Sequence, residues 1–337
     1  MEGEKFCGLD VHKESIQACI LDEKGNVIRE QRFANNSIGL NKLLNQVTGS
    51  RCVMESSTSC FSVYDFLNDK GITVRVAHPK KLKAISSAKV KTDKIDAMVL
   101  AQLERTDYIP EAYIPSKETR QLRDLAVHHL QLTKQKTRVN NQLKALLTKN
   151  GIAISTNPFT KTGKKLLDLT NMPQSIRLIA NQSIEEYLRI EKDRDEIDQE
   201  IEKIAKENKN AVLLKSMPGV GWLSAFIIAT QIDKIERFPS PENLVSYAGL
   251  CPTTRQSGEN IHTGKINKDS CRILRWILIQ DAWASVKHCQ YFKKIYKKLC
   301  KKKTKQKAIV GIAKRMLTIM YFMLRDQTVF KPKTGDN

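Results

Sequence analysis

The chain has 337 residues, of which 57 are Lys or Arg and 36 are Asp or Glu, so its formal net charge is +21. This length allows two or three domains, and 41% apolar residues exclude a disordered or fibrous protein. The charge indicates a polyanionic partner. Nucleic acid fits better than an anionic membrane surface, because each neutralised phosphate releases condensed counterions.

Export and membrane insertion are not expected. The longest mostly apolar stretch, residues 316–324, is too short to cross a bilayer. The N-terminus is acidic and lacks the apolar run of a secretory signal. We therefore expect a cytoplasmic protein with no membrane partner.

Residues 1–112 are predicted to form an α/β domain. Gly and Asn within 22–26 favour a hairpin turn between the second and third strands. The predicted elements are strands at 6–10, 16–21 and 27–33, a helix at 38–47, a strand at 52–54, a helix at 63–70 and a strand at 73–77. This order predicts a mixed sheet.

Residues 113–209 are predicted to be helical. Apolar residues recur at helical spacing over 116–150 and again over 184–204, so the two helices are expected to pair as a long antiparallel hairpin. Two interpretations stay open. The hairpin is either a packed pair with solvated charged faces or a coiled coil for dimerisation or nucleic-acid binding.

Residues 210–330 predict a mainly α domain that binds nucleic acid. Pro218-Gly219-Val220-Gly221 before an apolar helix at 222–232 resembles a helix-hairpin-helix element, whose backbone N–H groups face a phosphate. A basic block at 293–307 is interleaved with aromatic residues that can stack on bases; the alternative is a solvated face. The predicted nucleic-acid contacts are Gly219, Gly221, Lys265, Lys268, Arg272, Arg275, Lys293, Lys294, Lys297 and Lys298.

Four acids are candidate metal ligands. Asp10 and Glu55 end predicted strands, where α/β sheets bind ligands, and Asp93 and Asp96 share a helix face. Four clustered carboxylates need a cation, and hard oxygen ligands select Mg²⁺ or Mn²⁺. Two such ions polarise a phosphodiester, so cleavage of that bond is the predicted chemistry. The alternative is that Asp93 caps a helix and that Asp10 and Glu55 pair with lysines.

Two groups of sequence strings carry a family resemblance. The first comprises Gly8-Leu9-Asp10-Val11-His12-Lys13, the strand end at Glu55, His78-Pro79-Lys80-Lys81-Leu82-Lys83 and Lys91-Thr92-Asp93-Lys94-Ile95-Asp96-Ala97. The second comprises Pro218-Gly219-Val220-Gly221, Tyr247-Ala248-Gly249-Leu250-Cys251-Pro252, Gln256-Ser257-Gly258, Gly264-Lys265-Ile266-Asn267-Lys268 and Leu274-Arg275. In order and spacing they resemble the insertion-sequence-110 transposases, a family that includes pilin-gene inversion and bridge-RNA-guided recombinases.

The resemblance implies a fold and a mechanism. The fold is an RNase H-like, RuvC-like domain in which Asp10, Glu55, Asp93 and Asp96 bind magnesium. The second domain supplies a serine nucleophile, carried here by Ser257, which we expect in a loop between Pro252 and Gly264. A covalent phosphoserine would conserve the bond energy for rejoining without ATP. Donor and target DNA, a structured guide RNA and a homo-oligomer, dimer or tetramer, are the implied partners.

The chain departs from the family pattern at two places. Gln256-Ser257-Gly258 stands where the family has Ser-Ser-Gly or Ser-Thr-Gly, and Asp269-Ser270 where it has Gly after Ile-x-Lys-x. Ser270 is therefore a competitor for the nucleophile. The function predicted is a Mg²⁺-dependent transposase or site-specific recombinase. The alternative is a RuvC-type junction endonuclease that uses water and forms no phosphoserine.

Overall fold

The computed structural model describes residues 3–85, 92–153, 155–257, 260–266 and 270–332, with the backbone alone at 253–257, 260–263 and 265–266. The chain divides into two compact units. We call residues 1–117 the N-terminal unit and residues 118–337 the C-terminal unit. The finer division at residues 112 and 209 stays a prediction.

The N-terminal unit is built on a five-stranded sheet of order β3-β2-β1-β4-β5. Its strands are β1 (Lys5–Val11), β2 (Ser15–Leu21), β3 (Val27–Ala34), β4 (Ser50–Glu55) and β5 (Val74–Ala77). The pairings of β1 with β2 and of β2 with β3 are antiparallel, whereas β1, β4 and β5 run parallel. The predicted mixed α/β sheet is confirmed.

Different helices cover the two faces of this sheet. The helices of the unit are α1 (Ser37–Val47), α2 (Cys60–Asp69), α3 (Pro79–Ile85) and α4 (Asp93–Arg105). On one face, Leu9 of β1 lies in one apolar cluster with Leu43 of α1 and Val63 of α2. On the other face, Cys19 of β2 packs with Ala101 of α4.

The C-terminal half of α4 is anchored by a buried carboxylate. Glu104 is fully buried, and its two carboxylate oxygens lie 3.0 Å from Arg51 Nη2 of β4 and 3.4 Å from Arg75 Nη1 of β5. Burial raises the pKa of the Glu104 carboxyl, and the two guanidinium groups oppose that rise. Such a buried charge is stable only with its partners, so these contacts fix α4 on the sheet.

The C-terminal unit contains two long helices joined by a shorter one. These are α5 (Lys117–Lys149), α6 (Lys161–Leu169) and α7 (Gln174–Glu207). Leu132 packs with Ile190, and further along α5 Leu143 packs with Ile184, earlier in α7. Contacts that move forward along α5 therefore move backward along α7, so the two helices are antiparallel, as predicted. Helix α6 lies in the connection between the two long helices, and the sequence interpretation missed it.

The rest of the C-terminal unit is mainly helical. Its elements are α8 (Lys209–Lys215), α9 (Trp222–Ile232), α10 (Pro241–Tyr247), the strands β6 (Pro252–Ser257) and β7 (Asn260–Ile266), α11 (Arg272–His288), α12 (Gln290–Cys300) and α13 (Lys305–Arg325). Helix α9 is buried from Ser224 to Ile232 at the centre of the core. Among the described residues, no helix combines the length and apolar character that a membrane span requires.

Candidate metal centre and nucleic-acid interface

Two predicted metal ligands lie at the carboxyl ends of neighbouring parallel strands, Asp10 one residue before the end of β1 and Glu55 as the last residue of β4. Leu9 of β1 is in register with Met54 of β4, so Asp10 and Glu55 follow side by side, one residue further along each strand. Both strands run in the same direction, and their carboxyl ends meet at one edge of the sheet. The sequence predicted both as strand-end acids, and the register brings the two positions together.

The same two acids lie on the sheet face that α4 covers. Side chains alternate along a strand, so Asp10 shares a face with Gly8, and Glu55 shares one with Val53. Val53 packs with Leu100 of α4. Gly8 is in contact with the α4 backbone, because a Cβ on it would lie 1.9 Å from a carbonyl oxygen there. The face carrying both acids therefore also receives the helix that bears the other two.

Asp93 and Asp96 occupy the first turn of α4. The helix is capped by Thr92, whose side-chain oxygen accepts a hydrogen bond from the Ile95 backbone N–H at 3.3 Å. The alternative that Asp93 is the cap is therefore wrong, because Thr92 takes that position. Carboxylates in a first turn are also favoured by the positive end of the helix dipole.

His12 bridges the acids of the strand and of the helix. Its Nε2 atom lies 3.1 Å from Asp10 Oδ2 and 3.4 Å from Asp93 Oδ1. Ligand atoms of these three residues all lie within 4.8 Å of one another. Sequence reasoning missed His12 as a member of this site. Its position two residues after Asp10, on the same face of an extended chain, was the available signal.

The surroundings of Asp10 disfavour the ionised form of its carboxyl group when no cation is bound. Burial is the main cause that raises the pKa of the Asp10 carboxyl, and the nearby carboxylates of Asp93 and Asp96 raise it further. His12 opposes this by stabilising the ionised form. Carboxylates crowded in this way fit a divalent cation, which replaces their mutual repulsion with attraction.

The two glycines of the predicted helix-hairpin-helix element have different environments. Gly219 has a φ of +88°, and a Cβ on it would lie 2.5 Å from the backbone nitrogen of Ser285 on α11. Conformation and packing thus require glycine at 219. Gly221 is exposed directly before α9, with nothing within 4 Å of the place a Cβ would take. Its backbone is the more open to a phosphate.

The candidate nucleophile ends a strand of the small hairpin. We expected Ser257 in a loop, but it is the last residue of β6 and is in register with Asn260 of β7. This corrects the expectation. The side chains of Ser257 and Lys265 lie outside the described residues, and so does all of Lys268.

The arginines near the start of α11 differ in exposure. Arg272 is exposed, whereas Arg275 is half-buried and its Nη1 donates a hydrogen bond to Ser270 Oγ at 3.1 Å. Ser270, the competitor for the nucleophile, therefore shares its hydroxyl with this guanidinium. Arg275 thus contacts Ser270, two residues before α11.

Helix α12 has a basic outer face and an apolar inner one. Phe292 is fully buried, and the Tyr291 hydroxyl accepts a hydrogen bond from Arg315 of α13. Stacking of Phe292 on bases, which the sequence suggested, is therefore wrong, because this ring belongs to the core. The four predicted lysine contacts of this helix are all exposed and spaced to share one face: Lys293, Lys294, Lys297 and Lys298.

An acidic cluster on a mixed sheet, joined in one chain to a basic helical unit, is typical of enzymes that act on nucleic acids. A family model described as "Transposase", for the DEDD domain of IS110 elements, matches residues 7–151. A second, described as "Transposase IS116/IS110/IS902 family", matches residues 211–297. The chain belongs to the IS110 family of transposases, as the sequence motifs indicated.

Several relatives are similar over nearly the whole chain. The transposase for insertion sequence element IS1111A of Coxiella burnetii is 23% identical, with 98% of this chain and 92% of the relative covered. The pilin gene-inverting protein of Moraxella bovis is 25% identical, with 96% of this chain and 97% of the relative covered. The transposase for element IS1533 of Leptospira borgpetersenii is 23% identical, with coverages of 84% and 86%.

Proposed function

We propose that this chain is a DNA transposase or site-specific recombinase whose metal site is formed by Asp10, Glu55, Asp93 and Asp96. The observation that carries the proposal is the approach of Asp10 and Asp93 to the same His12 nitrogen, at 3.1 and 3.4 Å. One strand acid, Asp10, and one helix acid, Asp93, thus lie on the same imidazole. The strand order, with three antiparallel strands followed by two parallel ones, supports an RNase H-like, RuvC-like fold.

The donor set favours Mg²⁺, with Mn²⁺ as its substitute. Carboxylate oxygens are the donors that these ions select, whereas imidazole suits softer metals. We therefore assign His12 a positioning role rather than a ligand role. Its contacts with Asp10 and Asp93 hold these two carboxylates close together. When bound, the ion supplies Lewis-acid polarisation of a phosphodiester. Asp10 must lose its proton to serve as a ligand.

Ser257 is the proposed nucleophile. Its hydroxyl oxygen attacks phosphorus and its proton passes to a base. The P–O bond to the displaced DNA oxygen breaks, and this oxygen takes up a proton from water and leaves as a free hydroxyl end. The product is a phosphoserine ester of similar energy to the phosphodiester, so attack by a DNA hydroxyl rejoins the strand and restores the serine. The resemblance of Gln256-Ser257-Gly258 to the family motif supports this role, and Ser257 is the last residue of β6.

The proposed partners are DNA, a structured guide RNA and further copies of this chain. The net charge of +21 and the exposed lysine face of α12 support polyanion binding. Membership of the family supports the guide RNA. A dimer or tetramer is supported by large apolar side chains exposed on α6 and α7, namely Leu169 at 76%, Leu178 at 59% and Ile179 at 45%.

The metal site is tested by strand cleavage on DNA that carries the element's ends. We expect Asp10→Asn, Glu55→Gln, Asp93→Asn and Asp96→Asn each to abolish cleavage while the fold and DNA binding persist. The matched control is Asp326→Asn, which removes an exposed carboxylate whose partner is Arg325. Cleavage at the original rate in EDTA, or in the Asp10→Asn protein, would contradict the proposal.

A further inference from the structure

A cavity of about 420 Å³ opens between α5 and α11 in the C-terminal unit. Leu130 of α5 and Ile273 and Trp276 of α11 line it with apolar surface, and Lys134 and Arg272 add two exposed cations. Its volume lies within the range of pockets that hold small organic groups, on the order of 300–1,000 Å³. It lies in the basic unit and is distinct from the acidic cluster of the sheet.

Trp276 is unusually accessible for its size. Its side chain is 40% exposed, although a Trp ring in water forgoes a large hydrophobic gain. Arg272 lies four residues earlier, one helical turn away on the same face of α11. A flat aromatic surface next to a cation is the combination that binds a nucleobase together with its phosphate.

The polar groups of the cavity wall are already engaged. The Thr133 hydroxyl donates to the His129 carbonyl at 3.0 Å, and the Thr137 hydroxyl donates to the Thr133 carbonyl at 2.9 Å. These bonds within α5 leave little on this wall to read the edge of a base. Recognition here rests on stacking and charge, which accept any base.

We propose that this cavity binds an unpaired nucleobase of a single-stranded nucleic acid segment, stacked on Trp276, with Lys134 and Arg272 at the adjacent phosphates. The inference rests on the nucleic-acid substrate of the proposed function and adds a site to it. Charge decides the occupant, because the two cations and the net charge of +21 favour a phosphate-bearing strand over a neutral peptide. A base within a duplex has its faces covered by its neighbours, so the cavity is specific for unpaired strands.

The test uses the full chain in EDTA, so that strand cleavage plays no part. The probe is a short oligothymidine with one 2-aminopurine, whose fluorescence falls when it stacks on an aromatic ring. We expect wild-type protein to quench the probe, and Trp276→Ala to lose this quenching with an affinity about tenfold lower. Trp276→Phe should retain part of both. The salt dependence of binding should not change in Trp276→Ala, because no charge is removed.

The controls separate this site from the proposed function and from misfolding. Trp283→Ala removes another Trp from α11, exposed to 44% and packed edge-on against Tyr296, and should leave the quenching intact. Affinity for a fully paired duplex should be unchanged in Trp276→Ala.

Full quenching in Trp276→Ala overturns the inference, and so does a loss of affinity for the duplex that equals the loss for the single strand. A changed oligomeric state with unchanged affinity also overturns it, since the cavity is then a protein contact. None of these results bears on the acids tested by cleavage.

Discussion

Gly8 of β1 lies directly against Ala97 of α4, so closely that a Cβ on Gly8 would be 1.9 Å from the Ala97 carbonyl oxygen. This contact sets the distance between the strand that carries Asp10 and the helix that carries Asp93. The acidic cluster thus depends on a glycine that has no ligand atom of its own.

Gly8→Ala should displace α4 and disrupt the metal site. The added methyl group meets backbone atoms that cannot move alone, so we expect a loss of about 1–3 kcal/mol in the free energy of unfolding. Mn²⁺ affinity should fall as well, measured by calorimetry on protein that is still folded. Gly221→Ala is the control, since its Cβ meets nothing within 4 Å. Unchanged Mn²⁺ binding in folded Gly8→Ala protein would contradict this role of the contact.

Without divalent ions, Asp10→Asn should stabilise the N-terminal unit at neutral pH. The pKa of Asp10 is raised in the folded state, so its ionisation opposes folding. This cost is absent below the ordinary Asp pKa of about 4, where both states are protonated, and it grows as the pH rises through the folded-state pKa.

Urea unfolding in EDTA, followed by circular dichroism, measures this difference. The wild-type and Asp10→Asn proteins should be equally stable near the acidic limit and diverge towards neutral pH. Added Mn²⁺ should reverse the order, because it binds the native wild-type site. A wild-type protein that is the more stable one in EDTA at neutral pH would show that Asp10 is not destabilised by burial.

The sequence predicted the sheet well and parts of the site poorly. Strands β1 to β5 were located because short apolar stretches between turn residues are a direct signal of strands. Strand β6 was missed because Pro252–Ser257 is polar and shows no apolar alternation. His12 was missed because its importance depends on Asp93, which lies about 80 residues later and is delivered by the packing of α4.

The C-terminal unit should lose stability as the pH rises towards neutral. Asp281 of α11 is buried, and its Oδ1 accepts a hydrogen bond from Ser224 Oγ at 2.6 Å. Within the described part of the chain its Oδ2 atom has no hydrogen-bond partner. Burial raises the pKa of Asp281 to about 7, and the Ser224 hydroxyl opposes the rise.

The pKa of Asp281 is therefore higher in the folded state than in the unfolded state. The free energy of unfolding is highest below about pH 4 and decreases as the pH rises to about 7, by up to roughly 4 kcal/mol. Asp281→Asn should flatten this decline. Urea unfolding followed by tryptophan fluorescence measures it, because Trp222, Trp276 and Trp283 all lie in the C-terminal unit. An identical pH profile in the two proteins would refute the account of Asp281.

Neutralising the basic face of α12 should weaken DNA binding without regard to sequence. The variant carries Gln in place of Lys293, Lys294, Lys297 and Lys298. The slope of log affinity against log salt should fall by about 3 to 4, since each lost phosphate contact releases about one counterion fewer. Filter binding over a range of salt concentrations measures the slope.

The control variant carries Gln in place of Lys192 and Lys206, because these lysines pair with Glu196 and Glu202 on α7. An unchanged slope would mean that the α12 face is only solvated.

The measurement that tests the central claim most directly is the search for a covalent protein–DNA adduct at Ser257. Wild-type protein is incubated with Mg²⁺ and nicked target DNA, denatured, digested, and mapped by mass spectrometry. We predict a phosphoserine-linked nucleotide on the peptide containing Ser257, lost in Ser257→Ala while metal and DNA binding persist. An adduct on Ser270 would reassign the nucleophile. Metal-dependent cleavage without any adduct would contradict the serine mechanism and favour a junction endonuclease that uses water.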